Sequence, residues 1–223
     1  MKFFANEAKD DEVALFGGNR TGKTHCACFA DALHLTGLYP DWWPGRRFNK
    51  PISMWMATDT AKNTRDILQE KMCGKPGVEQ AYGTGMIPGD FLVRRTVKHG
   101  LADAFETVFV RHVSGGLSTL QFKSYDQGRE AFQGTAQDRI HLDEEPKLEI
   151  YTECLLRLMS TVPGETNGTL ALTETPMLGV SDLMITFMPD LSPEPDAMPS
   201  QAWVLGEEEE EETVIDESLS SIS

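Results

Sequence analysis

The sequence predicts an α/β protein with a mostly parallel central sheet flanked by helices. Three observations lead there. Short apolar runs of strand length alternate along the chain with stretches of helical periodicity. The first run, residues 13–16, passes directly into a glycine-rich loop and then a helix. A later run, residues 139–142, ends in consecutive acids. With 223 residues, 40% of them hydrophobic, the chain is long enough for one such domain with a sizeable core.

The elements follow in order. Val13, Ala14, Leu15 and Phe16 form a short apolar run of the kind found in a buried parallel strand. Residues 23–35 read as a helix. Pro40, Pro44 and Gly45 break periodicity in a loop over residues 37–51, and residues 52–57 form a second strand. Thr58, Asp59 and Thr60 cap a helix over 61–72. Residues 74–90, rich in Gly and Pro, receive no element. Strands are expected over 103–112 and 118–122, joined through Gly115 and Gly116, then over 139–142 and 169–173. Helices are expected over 148–161 and 179–187. After Met188 the pattern stops: prolines fall at 189, 193, 195 and 199, and six consecutive glutamates follow at 207–212. The sequence therefore divides into a domain of residues 1–189 and a Pro-rich, then acidic, disordered tail of residues 190–223.

The net charge of −15 belongs mainly to that tail. All 20 Lys and Arg lie at or before Arg157, and residues 190–223 carry 11 acids and no base. Residues 1–189 hold 24 acids against 20 bases, a net of −4, so the acidic average does not exclude a nucleic-acid partner. Four cysteines at 26, 28, 73 and 154 lack paired metal spacing and read as buried free thiols, which fits a reducing compartment. No apolar run approaches the roughly 20 residues needed to span a bilayer, and no signal peptide is evident. The expectation is a soluble, intracellular protein without a membrane role.

Residues 17–24 read Gly17-Gly18-Asn19-Arg20-Thr21-Gly22-Lys23-Thr24, a complete phosphate-binding loop. Gly17 and Gly22 permit a sharp turn and close backbone approach to phosphates. Successive N–H groups make an anion nest at a helix N-terminus. Lys23 supplies a positive charge to the β- and γ-phosphates of ATP, and the Thr24 hydroxyl holds Mg²⁺. Such a loop needs a carboxylate at the end of a nearby strand. Ile140 and Leu142 lead into Asp143, the expected Mg²⁺-side acid at the carboxyl edge of the sheet. Glu144 follows, placed to orient or deprotonate the attacking water. Glu145 reads as a first-turn helix-dipole residue. A glutamate directly after the magnesium aspartate favours hydrolysis over kinase chemistry. So does a strand inserted between the loop strand and the acid strand, a place expected here for residues 52–57, as in motor-type phosphate-loop ATPases.

At this point the chain resembles the ATPase domain of the tailed-phage terminase large subunit. The resemblance rests on the loop with its internal Arg20 and on the stretch from His34 through Trp42-Trp43. It continues through Phe122 to Arg129, Phe132-Gln133-Gly134, Asp143-Glu144-Glu145-Pro146 and Thr173-Glu174-Thr175-Pro176. It covers about residues 12–188 and implies a phosphate-loop NTPase of the ASCE type that hydrolyses ATP with Mg²⁺. The function it implies is packaging of double-stranded viral DNA into a procapsid, with a portal protein and a terminase small subunit as partners. The active form would be a ring homo-oligomer in the host-cell cytoplasm. It also implies that Arg20 reaches the γ-phosphate, and that Thr173 and Thr175 relay hydrolysis to domain motion; β-propensity at a strand end is the other reading of the threonines.

Three departures from the family pattern stand out. No ribonuclease-H-type nuclease follows the last motif, so cutting of DNA is not expected from this chain. No glutamine precedes the loop, and adenine recognition stays unassigned; Phe3 and Phe4 read as buried. Gln133 stands where many terminases carry an arginine, and Arg129 is the nearest candidate to enter a neighbouring subunit's site, with a plain surface arginine as the alternative. Arg46, Arg47, Lys50, Arg94, Arg95 and Lys98 are the candidate DNA-phosphate contacts. Two other functions stay open: a truncated or regulatory product that binds ATP without packaging, and another nucleic-acid motor of the same fold.

Overall fold

The computed structural model describes residues 2–160, 166–176, 179–188, 190 and 202–205. The strands are β1 (Glu12–Gly17), β2 (Ser53–Thr58), β3 (Leu92–Val97), β4 (Phe105–Arg111), β5 (Leu117–Ser124), β6 (Arg139–Asp143), β7 (Thr169–Glu174) and β8 (Ala202–Leu205). They form an eight-stranded sheet in the order β3-β4-β5-β2-β6-β7-β1-β8. From β5 to β8 every neighbouring pair is parallel, whereas β3, β4 and β5 pair antiparallel.

The helices are α1 (Lys2–Asn6), α2 (Lys23–Thr36), α3 (Ala61–Asn63), α4 (Glu70–Cys73), α5 (Leu148–Leu158) and α6 (Asp182–Phe187). Helices α3 and α4 are the two ends of one rod, joined by the π-helical turn Thr64–Gln69. Thr60 caps this rod by accepting from the Asn63 N–H at 3.2 Å. Alternate side chains of the central strands serve the two faces. Phe16, Ala57, Ile140, Leu142 and Leu172 pack with α5 and α6. Met54, Met56, Leu15 and Ala171 pack with α2, α1 and the π-turn rod. Phe3 and Phe4 are buried against Trp43 and Val13, as expected. Among the described residues no helix is long and apolar enough to cross a membrane.

The doubly covered parallel sheet matches the expected fold class, with four corrections. The strand inserted between the loop strand β1 and the acid strand β6 is β7, not residues 52–57, which form β2 on the far side of β6. An edge strand, β3, lies in a stretch given no element. Its sequence Leu92-Val93-Arg94-Arg95-Thr96-Val97 is mostly exposed, so it shows no buried alternation. Residues 202–205, placed in the tail, pair with β1 as β8, so the sheet extends past residue 189; apart from these and Asp190, the tail lies outside the described residues. Glu145 is not in a first helical turn, because α5 begins at Leu148 and Glu149 holds that position.

The polar face of β6 is the unusual feature of the interior. All five of its residues are buried. Ile140 and Leu142 face α5 and α6, so period-two alternation turns Arg139, His141 and Asp143 toward α2. Buried charges persist only when paired. Arg139 Nε donates to Asp31 Oδ1 at 2.7 Å, and Nη2 donates to Glu7 Oε1 at 2.7 Å. Burial alone would raise both carboxyls, but the Arg139 charge and their histidine neighbours hold both below the ordinary carboxylate range. Replacing Arg139 with Leu would leave two buried carboxylates without this guanidinium. The expected loss is about 3–5 kcal/mol, read as a shift of the urea unfolding midpoint.

Candidate active site

The loop after β1 closes onto α2 through two left-handed residues, Arg20 (φ 65°) and Gly22 (φ 88°). A Cβ placed on Gly22 would meet no atom within 4 Å, so glycine there answers to the backbone angle and leaves clear space above the loop. Gly17, expected to help make the turn, instead ends β1 as a buried residue without a positive φ. Its carbonyl accepts from Lys23 Nζ at 2.9 Å. Thr21 Oγ1 donates to the Gly18 carbonyl at 2.9 Å and braces the loop. Gly22 is the N-cap of α2, with no side chain capping the first turn. Those N–H groups therefore present the partial positive charge of a helix start.

Lys23 is buried, and its ammonium also donates to Gly18 O at 2.8 Å and Thr175 Oγ1 at 2.9 Å. Desolvation pulls its pKa down against the charges of Glu144, Asp143 and Glu174. Thr24 Oγ1 donates to Asp143 Oδ1 at 2.7 Å, and Thr173 Oγ1 donates to the same oxygen at 2.6 Å. Glu144 follows at φ 65°, with its N–H on Thr173 O at 2.7 Å and its Oε2 accepting from Thr175 N at 3.3 Å. Partial desolvation raises the Glu144 carboxyl. The Thr175 N–H opposes that rise and the Asp143 charge adds to it. A raised carboxylate is better matched to taking a proton near neutral pH.

The structure thus brings Lys23, Thr24, Asp143, Glu144, Thr173 and Thr175 into one constellation. A cavity of about 380 Å³ lies above it. Its walls are the loop from Asn19 with the first turn of α2, Glu144 and Thr175, and Ile67 and Lys71 from the rod. Arg20 also lines it, is exposed, and makes no ion pair among the described residues.

Four contributing residues were not anticipated. Tyr125 OH donates to the Glu144 carbonyl at 2.9 Å and fixes the turn after β6. Ile67 and Lys71 reach the cavity because the π-helical turn resets the helical phase, a feature that leaves no mark in the sequence. Glu174, between the two threonines, is buried, and its Oε2 has no hydrogen-bond partner. Burial, then Glu145 and Glu144, raise its pKa to about 8.

A model of the terminase large subunit family, T4-like-virus type, N-terminal region, matches residues 14–218. The chain belongs to this family. It is 29% identical over 194 residues to the terminase large subunit of Salmonella phage P22, covering 79% of this chain and 38% of that relative, so it spans well under half of that protein's length. The fold is similar to the large terminase ATPase domain of Thermus phage P74-26, with a TM-score of 0.54 at 14% identity, over 89% of this chain and 76% of that one. It is also similar to the large terminase from a second thermophilic bacteriophage, with a TM-score of 0.51 at 14% identity, over 88% of this chain and 40% of that one. At such identities the likeness shows the fold, which is that of phage terminase ATPase domains.

Other expected residues are not gathered at the site. Arg129 is tied to the buried Glu153 of α5, with Nε and Nη2 each 2.9 Å from Oε2. Arg129, the candidate for a neighbouring subunit's site, is thus half exposed and engaged within its own chain. The basic DNA candidates are dispersed and largely engaged. Arg46 pairs with Asp11, Lys50 with Asp138 and Arg95 with Glu79, while Arg94 stacks on Phe109. Cys28, Asp31 and His141 bring ligand atoms within 4.8 Å of one another, but Arg139 already occupies Asp31, which disfavours a cation there.

Two outcomes are expected. Glu174 takes up a proton on folding across roughly pH 4.5 to 8, because its folded pKa lies above its unfolded value. Its contribution therefore falls as pH rises through that window. Glu174→Gln should flatten the decline in unfolding free energy between about pH 5.5 and 8 measured by urea titration. Lys71→Ala should weaken binding of a polyphosphate anion to this cavity about three- to tenfold, the scale of one ordinary hydrogen bond, with the unfolding midpoint unchanged because the side chain makes no ion pair among the described residues.

Proposed function

We propose that these residues form an ATP-hydrolysing motor domain for packaging double-stranded viral DNA into a procapsid. The observation that carries the reading is Asp143 Oδ1, which receives hydroxyls from both Thr24 and Thr173 beside Lys23. The donor set suits Mg²⁺–ATP: a hydroxyl and a carboxylate for a hard cation, a lysine, an uncapped helix start and clear space above Gly22. Mg²⁺, when bound, neutralises charge on the phosphate oxygens.

Lys23 and the N–H groups of residues 18–24 hold the β- and γ-phosphates. Thr24 and Asp143 hold the cation. Arg20 reaches over the cavity toward the γ-phosphate. Glu144 orients and deprotonates water, with its carboxylate aimed by the Thr175 N–H. Thr173 and Thr175 touch the cation acid and the lysine respectively, so both are placed to register loss of the γ-phosphate. Duplex DNA, a portal protein and the terminase small subunit are the proposed partners, in a ring assembled in the host-cell cytoplasm. DNA would be held through its phosphates, without base readout. A trans arginine completes each site in this scheme; Arg129 would serve only by leaving Glu153.

Lys23→Ala should abolish ATP hydrolysis in the purified chain. Glu144→Gln should retain binding of a fluorescent ATP analogue while kcat falls about 10²–10⁴-fold, the range for loss of a general base. A Glu144→Gln variant turning over at the unmutated rate would remove Glu144 from the chemistry.

A further inference from the structure

The polar face of β6 continues past the cation acid into the interior. Asp31 on α2 is fully buried and divides its carboxylate between two partners, Arg139 on Oδ1 and His141 Nδ1 on Oδ2 at 2.6 Å. The other ring nitrogen of His141, Nε2, lies 3.1 Å from Thr173 Oγ1. Register supports this contact: Asp143 pairs with Thr173, and His141 lies two residues before Asp143 on the same strand face.

Hydrogen accounting fixes the direction of the chain. A threonine hydroxyl has one proton. Thr173 gives it to Asp143 Oδ1, so its contact with His141 is accepted, and Nε2–H is the donor. Asp31, held ionised by Arg139, can only accept, so Nδ1–H donates to it. Both hydroxyls at Asp143 go to Oδ1. Among the described residues Oδ2 receives no hydrogen bond, so that oxygen would be available to a cation held at this site.

The geometry points to His141 as a positioning residue for the cation site. Clamped by Asp31, it holds the Thr173 hydroxyl proton on Asp143 Oδ1 and thereby sets the carboxylate angle that presents Oδ2 to Mg²⁺. This rests on the ATPase reading above. Nothing in that reading requires a histidine here, because a strand of this kind needs only to bury its face and an apolar residue would do that.

Two substitutions separate positioning from packing. The amide nitrogen of Asn falls near the Nδ1 position, so His141→Asn keeps the bond to Asp31 and loses Thr173. Gln reaches the Nε2 position, so His141→Gln keeps Thr173 and weakens the bond to Asp31. The readouts, on the full 223-residue chain, are EPR-detected Mn²⁺ binding in the presence of a non-hydrolysable ATP analogue and the Mg²⁺ concentration for half-maximal hydrolysis. Positioning predicts that Asn weakens cation binding about three- to tenfold, that Gln stays closer to the native chain, and that Asn adds nothing in a Thr173→Val background. A structural role predicts the reverse order, with Asn better than Gln, because Asp31 is the more deeply committed partner. That order overturns the inference, as do variants that both match the native chain, or losses that add in the Thr173→Val background. A native chain that binds Mn²⁺ and nucleotide without turnover defeats the ATPase reading alone. One that binds neither defeats both.

Discussion

Asp143 Oδ1 is the point on which the rest of the structure depends. Two hydroxyls meet there, one from the first turn of α2 and one from the end of β7, and they join the phosphate loop to two neighbouring strands. This contact gives a physical reason for the strand order. Thr173 must lie beside Asp143 in the sheet, and Thr175 must lie at the end of β1, where the Lys23 ammonium reaches back from α2 to meet it. Only a strand between β1 and β6 does both, and β7 is that strand. The inserted strand is therefore a delivery element for two hydroxyls and for the N–H that aims Glu144, and not a spacer.

Much of this was legible from residues 17–24 and 139–144. A phosphate loop constrains its own geometry, and an apolar strand ending in two acids places a carboxylate at the same sheet edge. The identity of the inserted strand was not legible, because sequence order does not fix spatial order. Residues 52–57 and 169–173 are equally apolar runs of strand length, and only contacts distant in sequence decide which one lies beside β1. The edge strand β3 was hidden for a different reason. Exposed on most of its length and containing Arg94 and Arg95, it owes its conformation to β4 and to stacking of Arg94 on Phe109. Residues 202–205 carry an apolar signal, Ala202-Trp203-Val204-Leu205, but the prolines and glutamates on either side outweighed it.

The alternation in Arg139-Ile140-His141-Leu142-Asp143 carries a further lesson. Period-two polarity ordinarily marks a strand with one wet face. Here both faces are buried, and the polar face is neutralised by Asp31 from α2 and Glu7 from the segment after α1. Glu7 accepts from Arg139 through Oε1, and its Oε2 lies 3.4 Å from His34, whose Nδ1 meets Tyr39 OH at 2.9 Å. The polar chain thus runs from Asp143 to the loop after α2, where Tyr39 OH accepts from the Phe48 N–H at 2.8 Å. An apolar face would hold the sheet to α2 without such cost. What ionic pairing adds is direction: Asp31 must meet both Arg139 and His141 at once, which fixes the axial position of α2 and so the height of Thr24 over Asp143.

That rigidity is what allows two strained residues to persist at the mouth of the site. Arg20 and Glu144 both sit at φ 65°, a left-handed conformation that a Cβ disfavours by about 1–2 kcal/mol. Neither has the freedom of glycine, so each needs an external hold. Glu144 is fixed on both sides, its N–H on Thr173 O and its carbonyl under Tyr125 OH. Arg20 is fixed less directly, by the Thr21 hydroxyl on Gly18 and by Lys23 gripping the carbonyls of Gly17 and Gly18. The asymmetry fits the proposed division of labour. A residue that aims water needs a fixed backbone, and one that reaches for a phosphate needs a loop able to yield. If Lys23 turned from those carbonyls to phosphate oxygens, as the proposed function requires, the hold on Arg20 would loosen while the backbone hold on Glu144 stayed. Phosphate binding would then release the proposed sensor without moving the backbone of the proposed base.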